Sequence, residues 1–193
     1  MVDKITSWKY AEDFVDESDA MLRARARAEE LGIECITAAT GAHLALVVSA
    51  LGAKAIVEAG TGSGLSGLWL LSGNKQAVLA TIDSEGDHLT AAKASFKDGK
   101  IAATRTRVIH GRAAEVMSNM ADAAYDLVFL DADRETLEEQ IRKASRLLRP
   151  GGIIAVAHAL WRDRVPDPAI RDETTNIYRD AMRFFVNNDD FIT

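Results

Sequence analysis

Four carboxylates sit where apolar runs end: Glu58 after Ala55-Ile-Val57, Asp83 after Ala80-Thr-Ile82, and Asp131 with Asp133 after Leu127-Val-Phe-Leu130. The first opens into Gly60-Thr-Gly62-Ser-Gly64-Leu-Ser66-Gly67. An acid at a strand end can accept ribose hydroxyls, help hold a cation or orient a reacting group, and a turn free of Cβ atoms lets a ligand approach the backbone. Gly62, Gly64 and Gly67 fit the pattern G-x-G-x-x-G, and Asp83 follows at about the 20-residue offset of a ribose-binding acid. That spacing alone points to a dinucleotide such as NAD. Glu58 turns the reading, because a carboxylate beside the loop repels a pyrophosphate seeking a helix N-terminus. S-adenosylmethionine carries no phosphate. Its sulfonium and ammonium gain from a nearby acid, and its carboxylate can take hydrogen bonds from Ser66 and the amides that open the next helix. A plain structural turn is the other reading of the glycines, and a helix N-cap that of Asp83.

Gly111-Arg112-Ala113 follows a third apolar run, at the edge where open α/β sheets bind ligands, though an ordinary helix start fits the same residues. Asp131 and Asp133, two positions apart, can share a divalent cation or orient a substrate; helix capping is the alternative for Asp133.

Such strand ends meet only in a particular frame. Residues 10–31 read as one long helix closed by Gly32, and a second helix runs from about Thr40 to Leu51, ended by Gly52. Strands are expected at 55–57, 77–82, 106–109, 126–130 and 153–156, alternating with helices near 64–73, 86–97, 112–121 and 134–148. Strands separated by helices of this length make βαβ units, so the class is α/β: a Rossmann-like, doubly wound, mostly parallel sheet with helices on both faces. In Leu147-Leu-Arg-Pro-Gly-Gly152 the proline and glycines end a helix before the fifth strand. Arg23, Arg25 and Arg27 alternate with alanine and read as a solvated face.

With 193 residues, 48% of them hydrophobic, the chain suits a single domain, 1–193, comprising an N-terminal helical region (1–52) and a Rossmann-like core (53–193). A net charge of −6 argues against sequence-independent nucleic-acid binding, which needs a basic surface, and favours a small-molecule substrate. Apolar stretches such as Leu44 to Leu51 fall far short of the roughly 20 residues that span a bilayer. A lone Cys35 and a start without the order of a secretory signal point to the cytoplasm.

Taken together, Val57-Glu-Ala-Gly-Thr-Gly-Ser-Gly-Leu-Ser66, Thr81-Ile-Asp83, Tyr125-Asp-Leu-Val-Phe-Leu-Asp131-Ala-Asp133, Leu147-Leu-Arg-Pro-Gly-Gly152 and Ala159-Leu-Trp161 resemble the cation-dependent O-methyltransferases, similar to catechol and caffeoyl-CoA methyltransferases in their compact bacterial form. The resemblance runs from about Ile36 to Asp172. It implies a class I methyltransferase fold, S-adenosylmethionine-dependent methylation of a small hydroxylated aromatic acceptor, and a homodimer with the N-terminal helix as a contact. It also implies cofactor contacts at Thr37, Glu58, Gly60, Thr61, Ser66, Asp83, Ala113 and Asp131, to which the glycine turn and the third strand end add Gly62, Gly111 and Arg112. Asp131 is also the family's first metal ligand.

The chain departs from that pattern at three places. The Asp-Asn pair that completes the family's cation site is Ala157-His158 here, and Arg134 stands where relatives place a lysine near the attacking hydroxyl. A hard cation wants several oxygens, so weak or no Mg²⁺ dependence is expected, with Asp131 and His158 as the ligands of any metal. Guanidinium stays protonated, which leaves His158 as the candidate base and Asp133 as its catalytic companion. Trp161 either walls the acceptor pocket or packs in the core. The family also continues through a closing antiparallel hairpin past Asp190-Phe-Ile-Thr193, so this hairpin is expected to be incomplete. Two alternatives stand beside the methyltransferase: an NAD-dependent oxidoreductase, and a protein that binds S-adenosylmethionine with little catalysis.

Overall fold

The computed structural model describes residues 4–193; the first three residues of the expected N-terminal helical region lie outside it. Five strands, β1 (Ala55–Ala59), β2 (Val78–Asp83), β3 (Thr106–His110), β4 (Tyr125–Leu130) and β5 (Leu148–Val156), form one parallel sheet in the order β3-β2-β1-β4-β5. Side chains on a strand alternate between faces. Ile56, Leu127 and Phe129 accordingly pack on one side, against α2 (Asp19–Leu31), α3 (Ala38–Leu51), α4 (Leu65–Gly73) and α5 (Gly86–Asp98). Val57, Ala59, Val128 and Leu130 face α6 (Ala113–Ser118), α7 (Leu137–Leu147) and α8 (Glu173–Val186). The expected doubly wound α/β class is what the chain adopts. Strand order reverses direction at β1, so a crevice opens between the carboxyl ends of β1 and β4, where such sheets bind ligands.

Helix ends follow the sequence signals in most places. Gly32 and Gly52 both take the left-handed conformation that ends a helix, and Thr37 caps α3 by accepting the Thr40 amide at 3.2 Å. The N-terminal region departs from the single long helix expected over residues 10–31. It is split into α1 (Lys4–Asp13) and α2, because Ser18 adopts extended backbone and its hydroxyl accepts the Met21 amide, starting a new helix. The alternating arginines are not a solvated face either. Arg25 makes a fork to Glu17 at 2.6 and 2.8 Å and also reaches the Ile36 carbonyl, while Arg23 and Arg27 both bind Asp98 on α5.

Two further differences concern the second half. β5 begins at Leu148, inside the segment read as a helix end, because Leu148 pairs with Tyr125 before the register shifts and Leu127 pairs with Ile153. Helix α8 was not expected at all; Asp172 caps it, accepting the Thr175 amide at 3.1 Å and the Thr175 hydroxyl at 2.7 Å, and Thr175, Tyr178 and Ala181 are its buried positions. Among the described residues no strand follows β5, which forms one edge of the sheet. No helix there is long and apolar enough to cross a membrane.

Candidate active site

The carboxyl ends of the strands bring the chemistry-bearing residues to one rim. β1 delivers Glu58, beside Thr81 of β2 in register, and β2 ends on Asp83 beside His110 of β3. Asp131 follows β4 and its amide bonds the Ala59 carbonyl at 2.8 Å, while the Ala157 amide bonds the Leu130 carbonyl and sets His158 one residue further on. These ends surround a cavity of about 470 Å³, a size suited to a nucleoside-bearing ligand.

The glycine turn is shaped by packing within the protein at two positions. A Cβ on Gly60 would lie 2.0 Å from the Asp131 carbonyl oxygen, and one on Gly67 would meet Leu79 and Phe96 at 2.9 Å. Close approach of β1 to the chain after β4, and of α4 to the sheet, excludes a side chain at either position, a packing demand that stands beside the expected approach of a ligand to the turn. Gly62 does serve the site, since its amide donates to Asp83 Oδ2 at 2.9 Å. Asp83 also accepts the Glu85 amide at 3.0 Å and sits 3.2 Å from His88 Nδ1, so its carboxylate is held in place rather than capping α5, whose N-cap is Glu85.

Glu58 lies under this turn, fully buried. Thr81 donates its one hydroxyl proton to Glu58 Oε2 at 2.6 Å, so the 2.6 Å contact between the Thr61 and Thr81 hydroxyls must have Thr61 as donor. Oε1 has no partner. Burial pushes the Glu58 carboxyl up to about 7; Ser66 and Thr81 act against this, and the charges of Asp131 and Asp83 add to it. A buried carboxylate with an unsatisfied oxygen is costly when ionised, and a cation nearby relieves that cost. The donor set therefore fits S-adenosylmethionine: an ionisable acid beneath the turn for its positive charges, Asp83 for ribose hydroxyls, and the amides at the start of α4 for its carboxylate.

Of the residues named from sequence, Gly60, Thr61, Gly62, Ser66, Asp83, Gly111, Arg112, Ala113, Asp131 and Asp133 line the cavity. Thr37, Glu58 and His158 do not. Thr37 is exposed and turned to Glu12, to which its hydroxyl donates at 2.9 Å; the capping demand of α3 takes the side chain away from the site. Glu58 is one layer below the floor. His158 stands behind Asp131, with Nε2 3.3 Å from Oδ1. Sequence reading did not pick out Ile33, Glu34, Cys35 and His88, which also line the cavity. The first three lie between α2 and α3, in a stretch without a motif; His88, five residues past Asp83, carried a signal only through that spacing.

On the acceptor side, Asp131 is raised chiefly by burial, while the His158 hydrogen bond opposes it; the same contact raises the imidazole above its ordinary value. Asp133 is exposed at the rim, and its side chain caps nothing, whereas its carbonyl accepts Gln140 Nε2 at 2.8 Å. Trp161 is half-buried: its ring stacks on Tyr178 with centroids 5.5 Å apart, and the Arg134 guanidinium lies 4.4 Å from its centroid. Burial pushes the Cys35 thiol up, so this wall residue is not an activated nucleophile. The metal implied by resemblance fits poorly. Asp131 is engaged by His158, and among the described residues no group of three or more His, Cys, Asp or Glu is placed to hold an ion. A hard cation that wants about six oxygens finds one carboxylate and an imidazole.

Comparison with known proteins gives the family and agrees with the fold. The chain belongs to the O-methyltransferase family, which it matches over residues 12–190. A Mycobacterium ulcerans protein assigned by name to the O-methyltransferases is 44% identical over 181 residues, 93% of this chain and 81% of that protein. Among solved structures, a Corynebacterium glutamicum protein superposes with a TM-score of 0.88 at 29% identity, over 97% of this chain and 89% of that one. The O-methyltransferase TomG of Streptomyces achromogenes, solved with S-adenosylmethionine, gives a TM-score of 0.83 at 23% identity, over 98% and 89% of the two chains. The oxidoreductase alternative finds no support in these relatives.

Proposed function

We propose that the protein transfers a methyl group from S-adenosylmethionine to the hydroxyl of a small aromatic acceptor, with no step routed through a Mg²⁺ ion. The observation that carries the choice of donor is Glu58, buried beneath the glycine turn with Oε1 unpaired. When bound, S-adenosylmethionine supplies a sulfonium methyl: the C–S bond breaks with its electron pair left on sulfur as the C–O bond forms. Asp83, fixed by the Gly62 and Glu85 amides, orients the ribose. Asp131 and His158 receive the proton that leaves the acceptor hydroxyl. Asp131 lines the cavity with His158 joined to it, so the proton has a carboxylate at the wall and an imidazole behind it. Asp133, at the rim, orients the acceptor. Positioning of this kind supplies much of the barrier reduction in a displacement that needs no other covalent chemistry.

We read the working form as a cytoplasmic homodimer. The exposed Ile5, Trp8 and Tyr10 on α1 and Phe14 just after it support that reading, as large apolar side chains left uncovered around one short helix favour cover by another surface. The test of the activity is turnover on a panel of phenols and catechols with Mg²⁺ added and with chelator. Methylated product whose rate changes less than about twofold with chelator is the expected result, twofold being about 0.4 kcal/mol in the barrier. Strict Mg²⁺ dependence would overturn the metal-free reading. S-adenosylmethionine binding without turnover on any acceptor would favour a binding protein.

A further inference from the structure

Two arginines line the cavity, Arg112 and Arg134, and a third, Arg162, stands next to it through the lining residue Glu34; two of the three are engaged by carboxylates. Arg112 lies 3.7 Å from Glu115, and Arg162 donates to Glu34 at 2.7 Å. Arg134 has no carboxylate or carbonyl partner among the described residues, although Asp133 and Glu135 flank it in sequence and share the rim. Its guanidinium turns instead to the Trp161 ring, 4.4 Å from the centroid. In a chain with 29 acidic residues against 23 lysines and arginines, a cation that passes over its adjacent acids is placed by geometry rather than by local pairing.

The placement has identifiable causes. The Asp133 carbonyl is tied to Gln140 Nε2 and to the Thr136 amide, which fixes the turn that carries Arg134. Trp161 is backed by its stack on Tyr178, so the surface under the guanidinium is rigid and apolar. Arg134 is also close enough for its charge to be felt at Asp131, His158 and Tyr178. A guanidinium offers five donors in a planar fork that matches a carboxylate with two parallel hydrogen bonds. Where no cation grips the acceptor, some other fixed group must orient it.

We propose that the acceptor is a carboxylated hydroxyaromatic, its carboxylate docked on the Arg134 fork beside the Trp161 ring and its hydroxyl turned toward Asp131 and His158. This rests on reading the site as the acceptor pocket of an O-methyltransferase. Arg134 then determines specificity: a lysine at the same position would give a point charge without the fork, and a neutral acceptor would leave the guanidinium unpaired.

The experiment measures binding, so that it does not depend on turnover. Protocatechuate and its amide are titrated calorimetrically into the protein saturated with S-adenosylhomocysteine. The acid is expected to bind about tenfold tighter or more, as suits a charge-assisted pair. Arg134→Gln should erase that preference with S-adenosylhomocysteine still bound, and Arg134→Lys should keep part of it. Failure of protocatechuate to bind, equal binding of acid and amide, or a preference that survives Arg134→Gln would each overturn the proposal. Methyl transfer is assayed separately on the same pair. A binding preference with no product would sink the methyltransferase reading and leave the carboxylate site standing; product formed equally from both would do the reverse.

Discussion

The side of the cavity we assign to the cofactor and the side we assign to the acceptor are built by opposite means. On the cofactor side each group is held by a neighbour that is itself held: Asp83 by two backbone amides, Gly62 by Asp83, Thr61 by Thr81, and Thr81 by Glu58. On the acceptor side the segment after β5 carries His158, Trp161, Arg162 and Asp163, all non-glycine residues with positive φ. Such backbone costs of order 1 kcal/mol or more per residue and persists only where surroundings enforce it. The difference teaches where change is tolerated. The groups we assign to the cofactor are tied into the strand ends and cannot move without disturbing the strands, whereas those we assign to the acceptor lie on two turns, Arg134 after β4 and His158 in the strained turn beyond β5.

The most severe way to break the contrast is to strike where the two sides join. Gly60 has φ of 92° and no room for a Cβ beside the Asp131 carbonyl, so Gly60→Ala must push β1 and the chain after β4 apart. We predict a loss of about 4 kcal/mol in stability, or roughly 10 °C in thermal midpoint, together with loss of S-adenosylhomocysteine binding. A melting curve close to that of the parent would show that the two sides are not tied through this contact.

His158→Ala sharpens the comparison by touching one side alone. Turnover is expected to fall about 10²- to 10⁴-fold, the usual range for a lost acid–base group, while S-adenosylhomocysteine affinity stays within about twofold. A variant that keeps full turnover would remove His158 from the mechanism and leave Asp131 to act unaided. The complementary change, Asp83→Asn, weakens the other side. It removes the charge and sets an amide donor against one of the two backbone amides, Gly62 or Glu85, so affinity should drop about 10- to 100-fold with little change in kcat. Equal affinity in the two proteins would mean that Asp83 shapes the turn and does not touch the ribose.

The same contrast explains what was legible in the sequence. Glu58, Gly60, Asp83 and Asp131 could be read because strand ends have a period, a length and a breaker, and the α/β class follows from their alternation. The α1–α2 break could not, since it depends on Ser18 capping within a stretch whose composition suits a helix throughout. Thr37 stands apart from the cavity lining for a related reason: its type and position suit a ligand contact, but its hydroxyl caps α3 and donates to Glu12. Glu34 and Cys35 enter the wall through tertiary packing between α2 and α3, which no local pattern encodes. On the acceptor side the residues were visible as departures from a family pattern, but their partners, Trp161 on Tyr178 and Arg134 on Trp161, cross between turns and α8, a helix that was not anticipated.

The smallest effect concerns Glu58 and separates the two sides by pH. Its folded carboxyl is raised from an ordinary 4.5 to about 7 by burial, so in the free protein its contribution to stability is fully present below about pH 4.5 and lost as pH rises through about 7. Glu58→Gln should therefore make the free protein more stable than the parent above pH 7, with the difference shrinking toward pH 5. A bound cation acts the other way, favouring the carboxylate, so S-adenosylmethionine should release a fraction of a proton near neutrality. S-adenosylhomocysteine, which keeps the ammonium but lacks the sulfonium charge, should release less. Calorimetry in two buffers of different ionisation enthalpy reads this directly. Equal proton release for the two ligands would show that Glu58 senses the amino group and not the sulfonium. No release for either would sink the assignment of Glu58 as the acid that favours a cationic donor over a pyrophosphate.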